Sequence, residues 1–158
     1  MKLVSEGRYG NIYRSDDRIL KHTSLKKEAL LAEQIKSLRH PMLPHVYDVR
    51  HFGLYWIIER EDLSDVKEYC CDFRQIWCRL NFSPKRIRKD REKMLEFSKR
   101  NRNLKDHLHC HFDVLLDFYI WLHEQGITIR DLGYKNWGLR PNGQYVVRDF
   151  GDCDIIEV

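Results

Sequence analysis

No stretch of this sequence approaches the run of about 20 apolar residues that a bilayer-spanning helix needs. The opening residues Met1-Lys2-Leu3-Val4-Ser5-Glu6 lack the apolar core of a signal peptide. Cysteine is scarce and irregularly placed. Cys70, Cys71, Cys78, Cys110 and Cys153 are odd in number and follow no disulfide-framework spacing. Together these absences lead to the expectation of a reducing cytoplasm and no membrane partner. Internal repeats and low-complexity linkers are lacking as well.

What is present is globular. A chain of 158 residues with 42% apolar and 12% aromatic content fits one domain, or two small lobes sharing an interface. The net charge of +4 is unevenly spread: from Pro84 to His107 ten Lys/Arg stand against four Asp/Glu. Such a block attracts nucleic acid, phosphate or an acidic partner. Arg86, Lys89 and Lys93 fall at helical spacing with few apolar residues between them, so a solvated helix is the preferred reading. Aromatic residues are not interleaved there as a single-strand binding surface requires, which makes nucleic acid a disfavoured partner.

Periodicity divides the chain near residue 61. Leu3-Val4, Asn11-Ile12-Tyr13 and Arg18 to Lys21 read as three short strands separated by a glycine turn and the turn Asp16-Asp17. A helix capped by Thr23 or Ser24 is expected to run to about Arg39, with Leu31, Ala32, Ile35 and Leu38 on one face. Two more strands, His45 to Val49 and Leu54 to Ile58, follow the stop His40-Pro41. Beyond Glu61 the character turns helical: Leu63 to about Leu80, then the basic segment, then Leu104 to Glu124, ended by Gly126. Strands around Trp137 to Leu139 and Tyr145 to Arg148 flank the turn Pro141-Asn142-Gly143.

The chemistry-bearing residues concentrate near the end. Ile129-Arg130-Asp131-Leu132-Gly133-Tyr134-Lys135-Asn136 precedes that hairpin, and Arg148-Asp149-Phe150-Gly151 follows it. Hard oxygen ligands on two adjacent loops suit Mg²⁺ held against phosphates, with a further carboxylate to orient an attacking hydroxyl. The segment resembles the catalytic loop and DFG motif of the protein kinase superfamily. In the first half, Ser5-Glu6-Gly7-Arg8-Tyr9-Gly10-Asn11-Ile12 is similar to the kinase glycine-rich loop, and Lys21 falls where the phosphate-binding lysine belongs.

The resemblance implies an α+β, two-lobe protein-kinase-like fold. Residues 1–61 would be a five-stranded antiparallel N-lobe sheet with one helix, and residues 62–158 a reduced, mostly helical C-lobe. It implies ATP and Mg²⁺ as cofactors. Gly7 and Gly10 would cover the phosphates, Ile12 the adenine, and Lys21 would hold the α and β phosphates. Glu28, or alternatively Glu33, would orient Lys21; Glu28 is preferred because Leu31, Ala32 and Ile35 follow it at core spacing. The backbone of Glu59-Arg60-Glu61 would bond the adenine edge. Asn136 and Asp149 would bind the metal, and Asp131 would orient the acceptor hydroxyl. The expected activity is that of a small serine/threonine protein kinase-like phosphotransferase with a protein acceptor, or a small-molecule acceptor instead.

Departures from the pattern support an alternative, a pseudokinase that binds or blocks a host protein or nucleoprotein through its basic surface. Ile129 replaces the usual histidine, Gly133 the usual lysine, and Ile19 the alanine expected beside the adenine. Seven residues follow Gly151, so no activation segment of the ordinary kind is expected; such trimming suits a compact genome such as a phage's. His107, Cys110 and His111 share a helix face, but are read as core or interface residues rather than zinc ligands.

Overall fold

The computed structural model describes residues 1–7, 9–66, 89, 92, 112–129, 136–149 and 153–155. In chain order they form β1 (Lys2–Gly7), β2 (Gly10–Ser15), β3 (Arg18–Thr23), α1 (Lys26–Ser37), β4 (Val46–Phe52), β5 (Tyr55–Glu61) and β6 (Ser64–Asp65). Then come α2 (Phe112–Glu124), β7 (Ile127–Ile129), β8 (Trp137–Leu139), β9 (Tyr145–Val147) and β10 (Cys153–Ile155). The architecture is mixed α+β. Two compact units divide it: Met1–Asp65 with Gly138–Gly151, and Val66–Trp137 with Asp152–Val158.

The first unit is built on a five-stranded antiparallel sheet in the order β1-β2-β3-β5-β4. Side chains alternate across a strand, so cross-strand partners share a face. Ile12, Lys21, Ile58 and Val49 form one such row, and Ile19, Arg60 and Val46 another on the same face. Helix α1 packs on β3, β4 and β5, burying Ala29, Leu31, Ala32 and Ile35. Each of the larger aliphatic side chains contributes about 1.5–3 kcal/mol when fully buried. A second sheet, β6-β8-β9, returns residues 138–149 to this unit, with Ser64 opposite Leu139 and Asp65 opposite Gly138.

Local details differ from expectation. Neither Thr23 nor Ser24 caps α1; its N-cap is Leu25, which makes no side-chain cap bond. The Thr23 hydroxyl instead accepts from Leu25 N at 3.1 Å, and Ser24 Oγ donates to Tyr9 O at 3.2 Å. The helix expected from Leu63 does not begin there. Ser64 and Asp65 pair as a strand with β8, and Leu63 is buried. Residues 67–80 of that expected helix lie outside the described residues. Strand β5 continues through the charged run Glu59-Arg60-Glu61, because partners across the sheet neutralise the charges: Glu59 with Arg18 and Arg50, Glu61 with Arg140.

In the second unit, α2 buries Phe118, Tyr119 and Leu122. Gly126, at φ +76°, ends the helix as its sequence position predicts. Strand β7 then pairs antiparallel with β10, setting Ile129 opposite Cys153. Neither strand was expected. Trp137 is buried with its ring edge-on to Phe118, centroids 6.4 Å apart. Among the described residues no helix is long and apolar enough to cross a membrane.

Candidate functional site

Lys21 sits in the middle of β3, on the sheet face that α1 covers. Its Nζ donates to Glu28 Oε1, from the first turn of α1, and to Asp149 Oδ1 at 3.1 Å. Glu28 is 5% exposed, Lys21 15% and Asp149 41%, so the pair is buried at one end and opens to solvent at the carboxylate of Asp149. Glu33 is exposed on the opposite side of α1.

Asp149 owes its position to the second sheet. Val147 N donates to Met42 O at 3.0 Å, fixing β9 beside the loop after α1. Arg140 forms the larger tie. Its Nη2 and Nε donate to the two carboxylate oxygens of Glu61 at 2.7 and 3.0 Å, a bidentate pair. The same guanidinium donates to Pro41 O at 2.6 Å and Leu43 O at 3.0 Å. Burial alone would raise the Glu61 carboxyl, but the bonds from Arg140 and from His45 N outweigh it and hold it below its ordinary value. Arg148 pairs with Asp65. The clamp Arg140–Glu61 was not singled out in the sequence, where Arg140 reads only as the neighbour of a turn.

The glycine turn lies next to Lys21. Gly7 pairs with Gly10, and Ile12 lies directly opposite Lys21. A Cβ on Gly10 would stand 1.7 Å from His22 O, so close approach of β2 to β3 requires this glycine. A Cβ on Gly7 would meet only Gly10 O, at 3.3 Å. Ser24 N and Oγ both donate to Tyr9 O, tying the turn to the start of α1.

In the sequence Arg60 reads only as part of a backbone segment. Here its side chain is 8% exposed, opposite Ile19 and Val46, two residues along β5 from Ile58. Burial first, then repulsion from Arg148, lowers its pKa to about 10 against the attraction of Asp149, Asp62 and Glu28; it remains a cation at neutral pH. One clue was legible: Arg60 shares strand parity with the apolar Ile58.

The other expected residues are not gathered here. Glu59 lies between β3 and β4, opposite Leu20 and Asp48, with its carboxylate on Arg18 and Arg50. Pleat parity puts it on the face opposite Lys21. Asn136 belongs to the second unit, just before β8. Asp131, Gly133, Phe150 and Gly151 lie outside the described residues, as do His107, Cys110, His111 and the basic stretch 84–107 apart from Lys89 and Glu92.

The donor set fits a hard divalent ion better than a soft one. Of the two expected metal ligands, Asp149 lies in the unit that holds Lys21, and it offers carboxylate oxygen close to that lysine. Among the described residues no group of three or more His, Cys, Asp or Glu forms a ready-made metal cage. A small cavity of about 70 Å³, between the end of α1 and the start of β4, shares no residue with Lys21, Glu28 or Asp149.

No protein-family model matches this chain, and no curated protein matches it.

Proposed function

We propose that the chain is a small protein-kinase-like phosphotransferase using a nucleoside triphosphate and Mg²⁺. The observation that carries the reading is the lysine held between the α1 glutamate and the aspartate of the Asp149-Phe150-Gly151 run. Lys21 and Glu28, seven residues apart, meet Asp149 from 128 positions further along the chain, which supports a phosphate-handling site. Lys21 presents an ammonium to phosphate oxygens, Glu28 fixes its direction, and Asp149 with Asn136 would hold the ion. The ion would neutralise charge that develops on the phosphates. Gly7 and Gly10, at the two ends of the β1–β2 turn, would let its backbone approach the phosphates, and Ile12 would supply an apolar cover for the base. Asp131 takes the role of orienting the acceptor hydroxyl for in-line transfer. The acceptor is a protein hydroxyl, with a small molecule as the other class, and the site of action is the cytoplasm.

The test is transfer of labelled γ-phosphate. The Asp131→Ala chain is expected to lose transfer while still binding nucleotide; normal turnover by that variant contradicts the assignment.

A second reading, a pseudokinase that engages a protein partner, is favoured by one observation. Ile19, where the resemblance expects an alanine, is buried on the face where the base would lie. Partner binding that is salt-sensitive and indifferent to Asp149→Ala would favour it.

A further inference from the structure

Among the described residues, Arg60 is a buried cation with most of its hydrogen-bonding capacity unspent. A guanidinium carries five N–H donors. Among the described residues, the hydrogen bond from Arg60 goes to Glu61 O, from Nη1 at 3.1 Å. Leaving buried donors unmatched is costly, so such a group marks a place where something else supplies acceptors.

Its position says what that is. Arg60 shares the sheet face of Lys21, offset by one strand and two residues, a diagonal separation of roughly 8 Å between backbones. A nucleotide whose phosphates lie at Lys21 and Asp149 would bring its base toward Ile19 and Arg60. The backbone of Glu61 there is already engaged: its N–H donates to His45 O at 3.0 Å, and its carbonyl accepts from Arg60. A base edge at that position would meet the remaining N–H donors of the Arg60 guanidinium.

We propose that Arg60 selects the base, so that this site takes a purine with acceptors on its edge, a guanine nucleotide, in preference to adenine. Guanine presents O6 and N7, two acceptors spaced for the guanidinium fork; adenine presents N7 beside an amino donor that would face the arginine. The inference rests on the nucleotide-site reading above and goes beyond it by naming the base. A bidentate match of this kind discriminates about tenfold or more.

The test is titration calorimetry of the full chain with GTP, ITP and ATP, each with Mg²⁺. GTP and ITP, which share O6 and N7, are expected to bind at least tenfold more tightly than ATP. Arg60→Met is expected to bring the three within about twofold. ATP binding as tightly as GTP in the natural chain overturns the role of Arg60 and leaves the nucleotide site standing. Tight GTP with weak ITP places recognition on the N2 amino group and also overturns it. Binding of none of the three overturns this inference together with the phosphotransferase reading. Should Arg60→Met fail to fold, the three-nucleotide comparison on the natural chain decides by itself.

Discussion

The ammonium of Lys21 lies 3.1 Å from the carboxylate of Asp149, a residue 128 positions further along the chain. That single contact joins the central strand of the first sheet to the segment leaving β9. It brings a cation and a hard-oxygen ligand together at the half-exposed end of an otherwise buried pair.

The pair itself makes a stability prediction. Lys21→Met leaves the Glu28 carboxylate buried without its cation, and should cost about 3 kcal/mol in urea unfolding. Adding Glu28→Leu removes the stranded charge and should recover most of that loss. A double variant no more stable than the single one would show that the two side chains are not coupled.

The two glycines of the β1–β2 turn should behave differently. Gly10→Ala drives a methyl group into the backbone of β3 and is expected to lower stability by several kcal/mol or to prevent folding. Gly7→Ala meets one carbonyl at 3.3 Å, a tight contact relieved by a small shift of the turn, so the chain should still fold, with a loss of about 1 kcal/mol. Weakened nucleotide binding in folded Gly7→Ala would then report on the phosphates alone. Equal thermal losses in both variants would contradict this division.

Acid should weaken the fold through Glu61. Its carboxyl is held below the ordinary value of 4.5 in the folded chain. A depressed folded pKa gives stability that is fully present above the unfolded value and is lost as pH falls through the folded one. Unfolding free energy should therefore decline below about pH 4.5, and Arg140→Ala should reduce that dependence while lowering stability at neutral pH. An unchanged acid slope in Arg140→Ala would show that another carboxylate is responsible.

Much of the first unit was legible because its signals are local. The alternation of Arg18 to Lys21 and the stripe Leu31, Ala32, Ile35 follow the periods of strand and helix, and Gly126 and Gly143 occupy positive-φ positions that suit glycine. The pairing of Lys21 with Glu28 was legible because Glu28 begins that stripe. What escaped detection depends on distant partners. Glu59-Arg60-Glu61 looks like the end of a strand, yet continues β5 because arginines from β3, β4 and the segment after β8 neutralise the two glutamates. Strands of three residues such as β7 and β10 carry too little periodicity to be read, and exist through pairing 24 positions apart at Ile129 and Cys153. The burial of Arg60 left almost no trace, since arginine is ordinarily a surface residue.

The most direct test of the account is thermal unfolding with nucleoside triphosphate, with and without Mg²⁺, for the natural chain and for Asp149→Ala. A ligand at about 100 times its Kd adds about 2.7 kcal/mol, which for a chain of this size is a rise of roughly 5–10 °C. The natural chain should show a rise that requires Mg²⁺, and Asp149→Ala should show none. A rise that persists in Asp149→Ala, or no rise with either ATP or GTP at millimolar concentration, would contradict a nucleotide site built on Lys21, Glu28 and Asp149.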